Sequence, residues 1–547
     1  FCLSRGLGDV YKRQLMLKSR LCIAFFAFAV GCAPAQKPLT DYVNPMLGTA
    51  TLWDSVDLGF KPTKRTWGAE VFPGSSLPNA MVQVSPVTKF HSGAGYQYED
   101  SVIYGFTHTN KGHWNLCHIP LLPVTGTPTP GDYCSPFSHE RESAAPGYYQ
   151  VFLDRYGVDA QLSSTLRCAF HKYTYPAGAA PAVLADLQRS NEHVRAWDIR
   201  KEGDNVFAGW QQTGEKMYFY AVANRPVTGI EPVVEGDREV RIVRFGEGDG
   251  VLELRIGFSF VSEKNARENL EAEMLGKSFA EVRSEATATW NDLLGRIRVE
   301  GGTEREKGLF YSSLYRSFLW PALRSDVNGE FTDVDGKVIN PGFRYYTGPS
   351  YWDDYRNKLI LLGMLAPDVA ADVISSDVDK GEKRGGFMPT FFHGDHASAF
   401  VAGTYLRGNR GFDVNRAYNL VLRNATVQGP SRPWLDEYVA KGYISEMDVE
   451  NPVTWTVCKA AVTKTLEYSY DDYAVALLAD ALGDKENRDM LMKRTSNYKN
   501  LFDPSTGLMR GRLENGEWIT PFDDQYPYYE YTVSYTHLRA HETGRNL

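Results

Sequence analysis

Two short stretches place charged and aromatic side chains where they could grip a small polar ligand. In the first, Trp352-Asp353 is followed by Arg356. A carboxylate and a guanidinium at this spacing could hold adjacent hydroxyl groups, and the indole beside them offers a stacking face. The same residues admit a plainer role, with Asp353 capping the helix that follows and Arg356 as its ion-pair partner. In the second stretch, His393-Gly394-Asp395-His396 follows the glycine-rich approach Gly385-Gly386-Phe387-Met388-Pro389. Two histidines around an aspartate invite a metal, but His at i and i+3 without further ligands makes a poor zinc site. Asp395 and His396 are instead candidates for substrate contact, with Asp395 as N-cap of a helix over 397–406 as the alternative. Glu467 with Asp471-Asp472 is an acidic cluster at helical spacing, and Asp523-Asp524 and Glu530 are a second group of acids further along. Acidic residues on helices usually face solvent, so neither cluster is assigned a catalytic role.

The elements that must position these residues come in two kinds. From about Thr40 to Ser262 the pattern is mostly of period two, broken by Gly and Pro. Leu252, Leu254, Ile256, Phe258 and Phe260 alternate with polar or small residues, as in a half-buried strand. Further strands are expected over 151–153, 217–222 and 240–245. Many short strands without helical interludes point to a β-sandwich over 40–262. After Ser262 the period changes. Phe279, Val282, Ala286, Trp290, Leu293, Leu294 and Ile297 share one helix face. Linker helices are expected over 263–303, followed by helices over 304–320, 357–365, 397–406, 462–482 and 487–500. The one over 357–365 should stop at Ala366-Pro367, because a residue before proline is biased away from the helical region.

Composition narrows the class. The chain has 547 residues, a net charge of −8 and 43% hydrophobic residues, which suits globular cores and gives no basic footprint for nucleic acid. Of the 7 cysteines, Cys117, Cys134, Cys168 and Cys458 have no metal-like spacing, and one disulfide among them is open. The ends read differently from the rest. Asp9-Val10-Tyr11-Lys12-Arg13 and Val533-Ser534-Tyr535-Thr536-His537 are consistent with one short DNA element read in opposite orientations, so residues 1–14 and 533–547 are expected to be foreign, adapter-like sequence. Inside them, Met16 precedes a basic start and the apolar run Leu21–Val30, which together form a leader over 16–35 that is too short to span a bilayer. Gly31-Cys32 resembles a lipoprotein cleavage site and Ala33-Pro34-Ala35 an ordinary one. The expectation is therefore a bacterial protein exported to the periplasm or cell surface, with membrane attachment through a lipidated Cys32 as one outcome.

A set of motifs in order carries a family resemblance over about 42–532. It opens with Asp41-Tyr42-Val43-Asn44-Pro45-Met46-Leu47-Gly48-Thr49. Phe72-Pro73-Gly74-Ser75-Ser76-Leu77-Pro78, Met81-Val82-Gln83-Val84-Ser85-Pro86, Gly95-Tyr96-Gln97-Tyr98 and Tyr104-Gly105-Phe106-Thr107-His108-Thr109 follow. In the second half stand Phe310-Tyr311-Ser312-Ser313-Leu314-Tyr315-Arg316-Ser317, Tyr351-Trp352-Asp353-Asp354-Tyr355-Arg356, Thr465-Leu466-Glu467-Tyr468-Ser469-Tyr470-Asp471-Asp472 and Asn497-Tyr498-Lys499-Asn500-Leu501-Phe502-Asp503-Pro504. This series resembles glycoside hydrolase family 92.

The resemblance implies a multidomain α+β fold, an N-terminal β-sandwich followed by an (α/α)6 barrel that would be incomplete over 304–532. It implies an inverting exo-α-mannosidase acting on α-mannose-containing glycans with a calcium ion, Ca2+, whose ligands fall largely beyond residue 532. Trp352, Asp353, Arg356, Asp395 and His396 become the candidate substrate-binding residues. Inverting hydrolysis needs a carboxylic acid and a carboxylate base about 6.5–9.5 Å apart. Both are expected beyond residue 532, so no catalytic residue is assigned, no metal ligand is named, and the fragment itself is expected to be inactive. One departure concerns the sandwich: where relatives have a Trp-rich stretch, this sequence reads Phe90-His91-Ser92-Gly93. Two other functions fit the same layout, a different glycosidase or phosphorylase and a non-catalytic carbohydrate-binding protein.

Overall fold

The alternation read over 252–260 is a strand in the computed structural model, which describes residues 37–50, 71–110, 116–446, 459–520 and 522. Val251–Ser259 buries Leu252, Leu254, Ile256 and Phe258 completely, and the residues between them as far as Arg255 are half covered. From Gly257 on, both faces are buried, because helix α1 (Glu263–Glu273) lies against the outer face. A Cβ on Gly257 would stand 2.1 Å from the Ala266 carbonyl oxygen, so only glycine lets the helix approach this closely.

That strand belongs to an eight-stranded antiparallel sheet ordered Ala196–Gly203, Val206–Gln212, Lys216–Ala223, Val251–Ser259, Cys168–Thr174, Val158–Ser164, Tyr148–Leu153 and Glu142–Ala145. A seven-stranded sheet runs Ser75–Ser76, Gln83–Val87, Gly105–Thr107, Leu121–Val124, Ala182–Ala185, Arg238–Phe245 and Val227–Glu235. Residues of both sheets, among them Val84, Phe106, Leu122, Leu184, Leu162, Phe219 and Leu254, share one core, so the N-terminal half is a β-sandwich. The strands expected over 151–153, 217–222 and 240–245 all lie within observed strands. The outer face of the eight-stranded sheet is not left to solvent. Tyr148, Cys168 and Phe170 pack there with Leu270, Met274, Phe279 and Val282 from the first two helices.

Eleven α-helices follow among the described residues. After α1 come α2 (Phe279–Leu294), α3 (Glu304–Ser317), α4 (Tyr351–Asp354), α5 (Lys358–Leu365), α6 (Pro367–Lys383), α7 (Ala397–Leu406), α8 (Val414–Thr426), α9 (Leu435–Lys441), α10 (Ala461–Leu482) and α11 (Lys485–Arg494). Local chemistry sets several starts. Ser278 with Glu281, and Thr303 with Glu306, form capping boxes at α2 and α3. The apolar face read on α2 buries Phe279, Val282, Ala286, Trp290, Leu293 and Leu294. Its Trp290 donates from Nε1 to the Ser76 carbonyl at 2.7 Å, tying the helix to the sandwich. Arg167 of the sandwich pairs with Glu273 of α1 at 2.6 Å, and its Nε donates to the Ser325 carbonyl at 2.8 Å. The chain is thus a multidomain α+β protein, a β-sandwich joined to a helical half.

Some boundaries differ from the sequence reading. α3 ends at Ser317, short of Trp320, and the stretch expected as one helix over 487–500 is α11 followed by a 3-10 turn at Asn497–Leu501. Helix α5 stops at Leu365 as expected, but the chain turns through 120° and restarts at once as α6. Pro367 occupies the first position of α6, where its missing N–H costs nothing. Cys117, Cys134 and Cys168 are free thiols, whereas Cys458, Cys32 and the leader lie outside the described residues. So do the two adapter-like ends and residues 523–532.

Candidate active site

The two candidate stretches of the sequence converge on one helix, α10. This helix carries Glu467 and Asp471 one turn apart, so they share a face, and Asp472 points to the side of it. All three acids are fully buried, as is Lys464 for the most part. The expectation of a solvent-facing acidic cluster is therefore wrong. The wet face of α10 carries Tyr470 and Tyr473 instead, while α7, α8, α11 and the loops between them cover the sides that bear the acids. Burying carboxylates is costly unless each is paired, and each is.

Asp472 is held by three donors. Arg432 Nη1 approaches Asp472 Oδ1 at 2.6 Å and Arg494 Nη2 the same oxygen at 2.9 Å, while the Tyr438 hydroxyl donates to Oδ2 at 3.1 Å. Arg432 itself is 0% exposed, and its Nε reaches Asp395 Oδ2 at 3.2 Å. Asp395 also accepts from Asn424 Nδ2 and from Ser398 Oγ, both at 2.9 Å. Its backbone N–H donates to Asp471 Oδ2 at 2.6 Å. The other Asp471 oxygen lies 2.9 Å from His396 Nδ1. On the far side of that ring, Nε2 stands 3.3 Å from Glu467 Oε2. Glu467 then meets the outer layer, with Oε2 accepting from the Tyr355 hydroxyl at 3.3 Å and Oε1 lying 3.4 Å from Arg356 Nη2. The Tyr355 ring lies flat on His396, centroids 3.8 Å apart and 12° from parallel.

Burial raises the Asp395 and Asp472 carboxyls above the usual range, against the pull of Arg432. Burial pulls His396 down, but the neighbouring Asp471 and Glu467 outweigh it and the ring is raised. His393 goes the other way, pushed down to about 4 by burial and then by the charges of Lys464 and His396. It is 3% exposed, and neither of its ring nitrogens has a hydrogen-bond partner.

Above this buried layer lies an open rim. Asp353 and Arg356 are exposed, and Trp352 is half-buried. The Trp352 ring meets Phe392 edge-on at 5.2 Å, while the Arg356 guanidinium lies 4.3 Å from the Tyr355 ring. Phe392 sits at φ +65°, a left-handed conformation unusual for an aromatic residue, and two residues on Gly394 has φ +80°. A Cβ on Gly394 would come within 2.7 Å of the His396 ring and 3.0 Å of Glu467 Cβ. The glycine is what lets the loop fold down onto α10.

These positions settle where the candidates stand. Trp352, Asp353 and Arg356 form the accessible rim. Asp353 does not cap the following helix, since Asn357 caps α5, and Arg356 has Glu467 as an ion-pair partner. Asp395 and His396, expected at the substrate, are 0% exposed and engaged with protein groups, so they support the rim from below. Nor is Asp395 the N-cap of α7: His396 occupies that position without a side-chain cap, and the Asp395 carboxylate turns to Arg432 and Asn424. Glu467, Asp471, Asp472, Arg432 and Arg494 were passed over in the sequence. The exposed side of this helix carries Tyr470 and Tyr473 while its covered sides carry the acids, so no amphipathic stripe marks which acids are inside.

The four carboxylates would be the natural ligands of a calcium ion here, but they are already engaged by Arg432, Arg494, Arg356 and His396. Among the described residues no three His, Cys, Asp or Glu side chains are grouped to hold a metal. The cluster does not fit calcium. In the sandwich, Phe90 takes the place of the Trp-rich stretch, and the Arg189 guanidinium stands 5.1 Å over its ring and 5.2 Å over that of Tyr104. Both rings line an open cavity of about 590 Å³ that adjoins a second of about 760 Å³.

A sandwich tied to a helical half agrees with comparison to known proteins. The model of the glycosyl hydrolase family 92 N-terminal domain matches residues 42–267, and that of the family 92 catalytic domain matches 265–543. The chain belongs to glycosyl hydrolase family 92. A family GH92 α-mannosidase from Bacteroides thetaiotaomicron is 27% identical with a TM-score of 0.80, covering 91% of this chain and 70% of that one. A family GH92 inverting mannosidase from the same organism is 25% identical with a TM-score of 0.79 at the same coverage. An uncharacterized secreted glycosidase of Arthroderma benhamiae is 24% identical over 87% of this chain. This family 92 chain spans 66% of the length of that glycosidase.

Proposed function

We propose that this family 92 chain is the N-terminal and site-bearing part of an exported exo-α-mannosidase that releases mannose from α-linked glycans with inversion. The observation that carries the reading is the rim of Trp352, Asp353 and Arg356 standing on the Glu467 network. It puts an indole, a carboxylate and a guanidinium side by side on the surface, which suits a ring with adjacent hydroxyls. The likeness to α-mannosidases supports it, one of them solved in complex with mannoimidazole. Export is supported by the leader-like sequence over 16–35 and by the secreted description of the Arthroderma relative.

The four buried carboxylates are not offered as the acid and base. Each is fully buried and already hydrogen-bonded or ion-paired, so none is placed to reach a leaving oxygen or an attacking water. Proton transfer is left to residues outside the described ones, and the described residues hold and orient the sugar. Calcium dependence belongs to the same proposal, with ligands from outside the described residues.

The test is the release of mannose by the full-length product from α-linked mannosides and glucosides, with the anomer formed first read by NMR. β-Mannose as first product, lost on exhaustive chelation and restored by calcium, is expected. Preference for glucosides, or α-mannose first, overturns the reading. Replacing Asp353 or Arg356 by alanine should lower kcat/KM by one to two decades, the scale of a lost hydrogen bond to a charged group, about 1.5–3 kcal/mol, with the melting temperature unchanged.

A further inference from the structure

Of the four buried carboxylates, Glu467 is the one that touches both layers, Arg356 of the rim on one side and His396 below. His396 faces a carboxylate oxygen with each ring nitrogen, Asp471 Oδ1 at 2.9 Å from Nδ1 and Glu467 Oε2 at 3.3 Å from Nε2. Ionised carboxylates only accept hydrogen bonds, and a neutral imidazole has one N–H to give. A neutral His396 would turn a lone pair toward one of the two acids, whereas an imidazolium presents an N–H to each, hydrogen-bonding Asp471 through Nδ1 and standing in ion-pair range of Glu467 through Nε2 without hydrogen-bond geometry.

We propose that Glu467 and a permanently protonated His396 are a positioning pair for Arg356, fixing its guanidinium at the rim for a sugar hydroxyl. The pair rests on the functional reading above and extends it to two residues that need not touch the sugar themselves. Arg356 needs such an anchor. Its side chain is 46% exposed, and its contacts include Glu467, the Trp352 carbonyl at 3.4 Å and the face of Tyr355. Without a fixed acid beneath it, a long exposed side chain samples many rotamers, and holding it in advance reduces the entropy lost on binding.

The other groups around His396 are accounted for. Tyr355 stacks on one face, and Tyr470 meets the ring edge-on at 6.3 Å. His393 lies within range of its charge and of that of Lys464. Asp395, next in the chain, is taken up by Arg432, whose other partner is Asp472. None of these offers His396 a competing proton acceptor as near as Asp471 and Glu467.

The experiment has two independent readings on the full chain. Histidine-selective 15N NMR follows the ring protons of His396 from pH 5 to 9, assigned by their loss in His396→Gln. Calorimetry follows the affinity for mannoimidazole. In the unaltered protein both His396 ring nitrogens should carry protons at pH 7. Glu467→Gln should move the His396 titration to lower pH and weaken mannoimidazole about tenfold, the size of one charge-assisted contact, with little change in melting temperature. A merely structural Glu467 would lower melting temperature and affinity together and leave the titration in place. A neutral His396 at pH 7 in the unaltered protein, or a Glu467→Gln protein with unchanged affinity, overturns the pair. If Glu467→Gln does not fold, His396→Gln must show the same loss of affinity or the pair fails. Absence of mannoimidazole binding by the unaltered protein overturns the mannoside reading, and the NMR titration still decides the protonation of His396 by itself.

Discussion

Lowering the pH from 7 to 5 should loosen the sandwich through histidines that cannot take a proton where they sit. His108, His118 and His171 are fully buried between the sheets. His118 is bonded by Thr109 Oγ1 at Nδ1 and Thr213 Oγ1 at Nε2, both at 3.0 Å, and His108 and His171 share a contact of 3.0 Å between their Nε2 atoms. Burial pushes His118 down to about 3, helped by the charge of Arg324, and His108 to about 3 as well. In the unfolded chain these rings titrate near 6.5, so between pH 6.5 and 3 the unfolded state binds protons that the folded state refuses. Stability therefore falls as pH falls through this window. At pH 5 each ring costs the 1.5-unit gap at 1.36 kcal/mol per unit, about 2 kcal/mol. This figure does not depend on the exact folded value, provided it stays below 5. Raised carboxyls act in the opposite direction, Asp326 at about 6 and Asp395 and Asp472 upward, so the total pH dependence is not diagnostic. The difference between the unaltered protein and His118→Gln is. A urea series at pH 7 and pH 5, read by hydrogen exchange in the peptides covering 168–174 and 216–223, reports the sandwich alone. The unaltered protein should lose about 2 kcal/mol more than His118→Gln between the two pH values. Equal losses would show that His118 is protonated in place, and the burial argument would be wrong.

Other perturbations test the frame around the site. Trp290→Ala removes the buried indole and its bond to Ser76 and should cost about 3–5 kcal/mol in urea denaturation. Gly394→Ala puts a Cβ against His396 at a positive φ. It should destabilise by about 1–2 kcal/mol from backbone strain alone and shift the His396 ring signals. Arg432→Met leaves Asp395 without its cation and Asp472 with Arg494 alone. A loss of about 3–5 kcal/mol at pH 7 is expected, partly recovered toward pH 5 as the raised carboxyls take up protons. A melting temperature independent of pH in that variant would show that the buried acids are compensated elsewhere.

Much of the framework was legible in the residues. Period-two alternation over 252–260 and the apolar stripe of α2 each bury the side chains they name, because one covered face leaves a repeating trace. The ordered motifs pointed to family 92, and the family comparisons agree. The second half was harder. The proline at 367 was read as a stop and is also a start, since the same fixed φ that ends one helix suits the first turn of the next. Helices α6, α8 and α9 went unassigned, and their ends are set by neighbours as much as by their own residues.

The sequence by itself determined that Trp352, Asp353 and Arg356 would be close to one another, because they sit within a single turn of chain. It also determined that a sandwich would give way to helices near Ser262. Only the tertiary structure decided which acids are inside. Glu467, Asp471 and Asp472 look like any surface acids on a helix until α7, α8 and α11 close around α10, and what makes their burial bearable lies far away in the chain, at His396, Arg432 and Arg494. Spacing along one helix records a helix face. It does not record the burial of charge, which depends on a cation arriving from elsewhere.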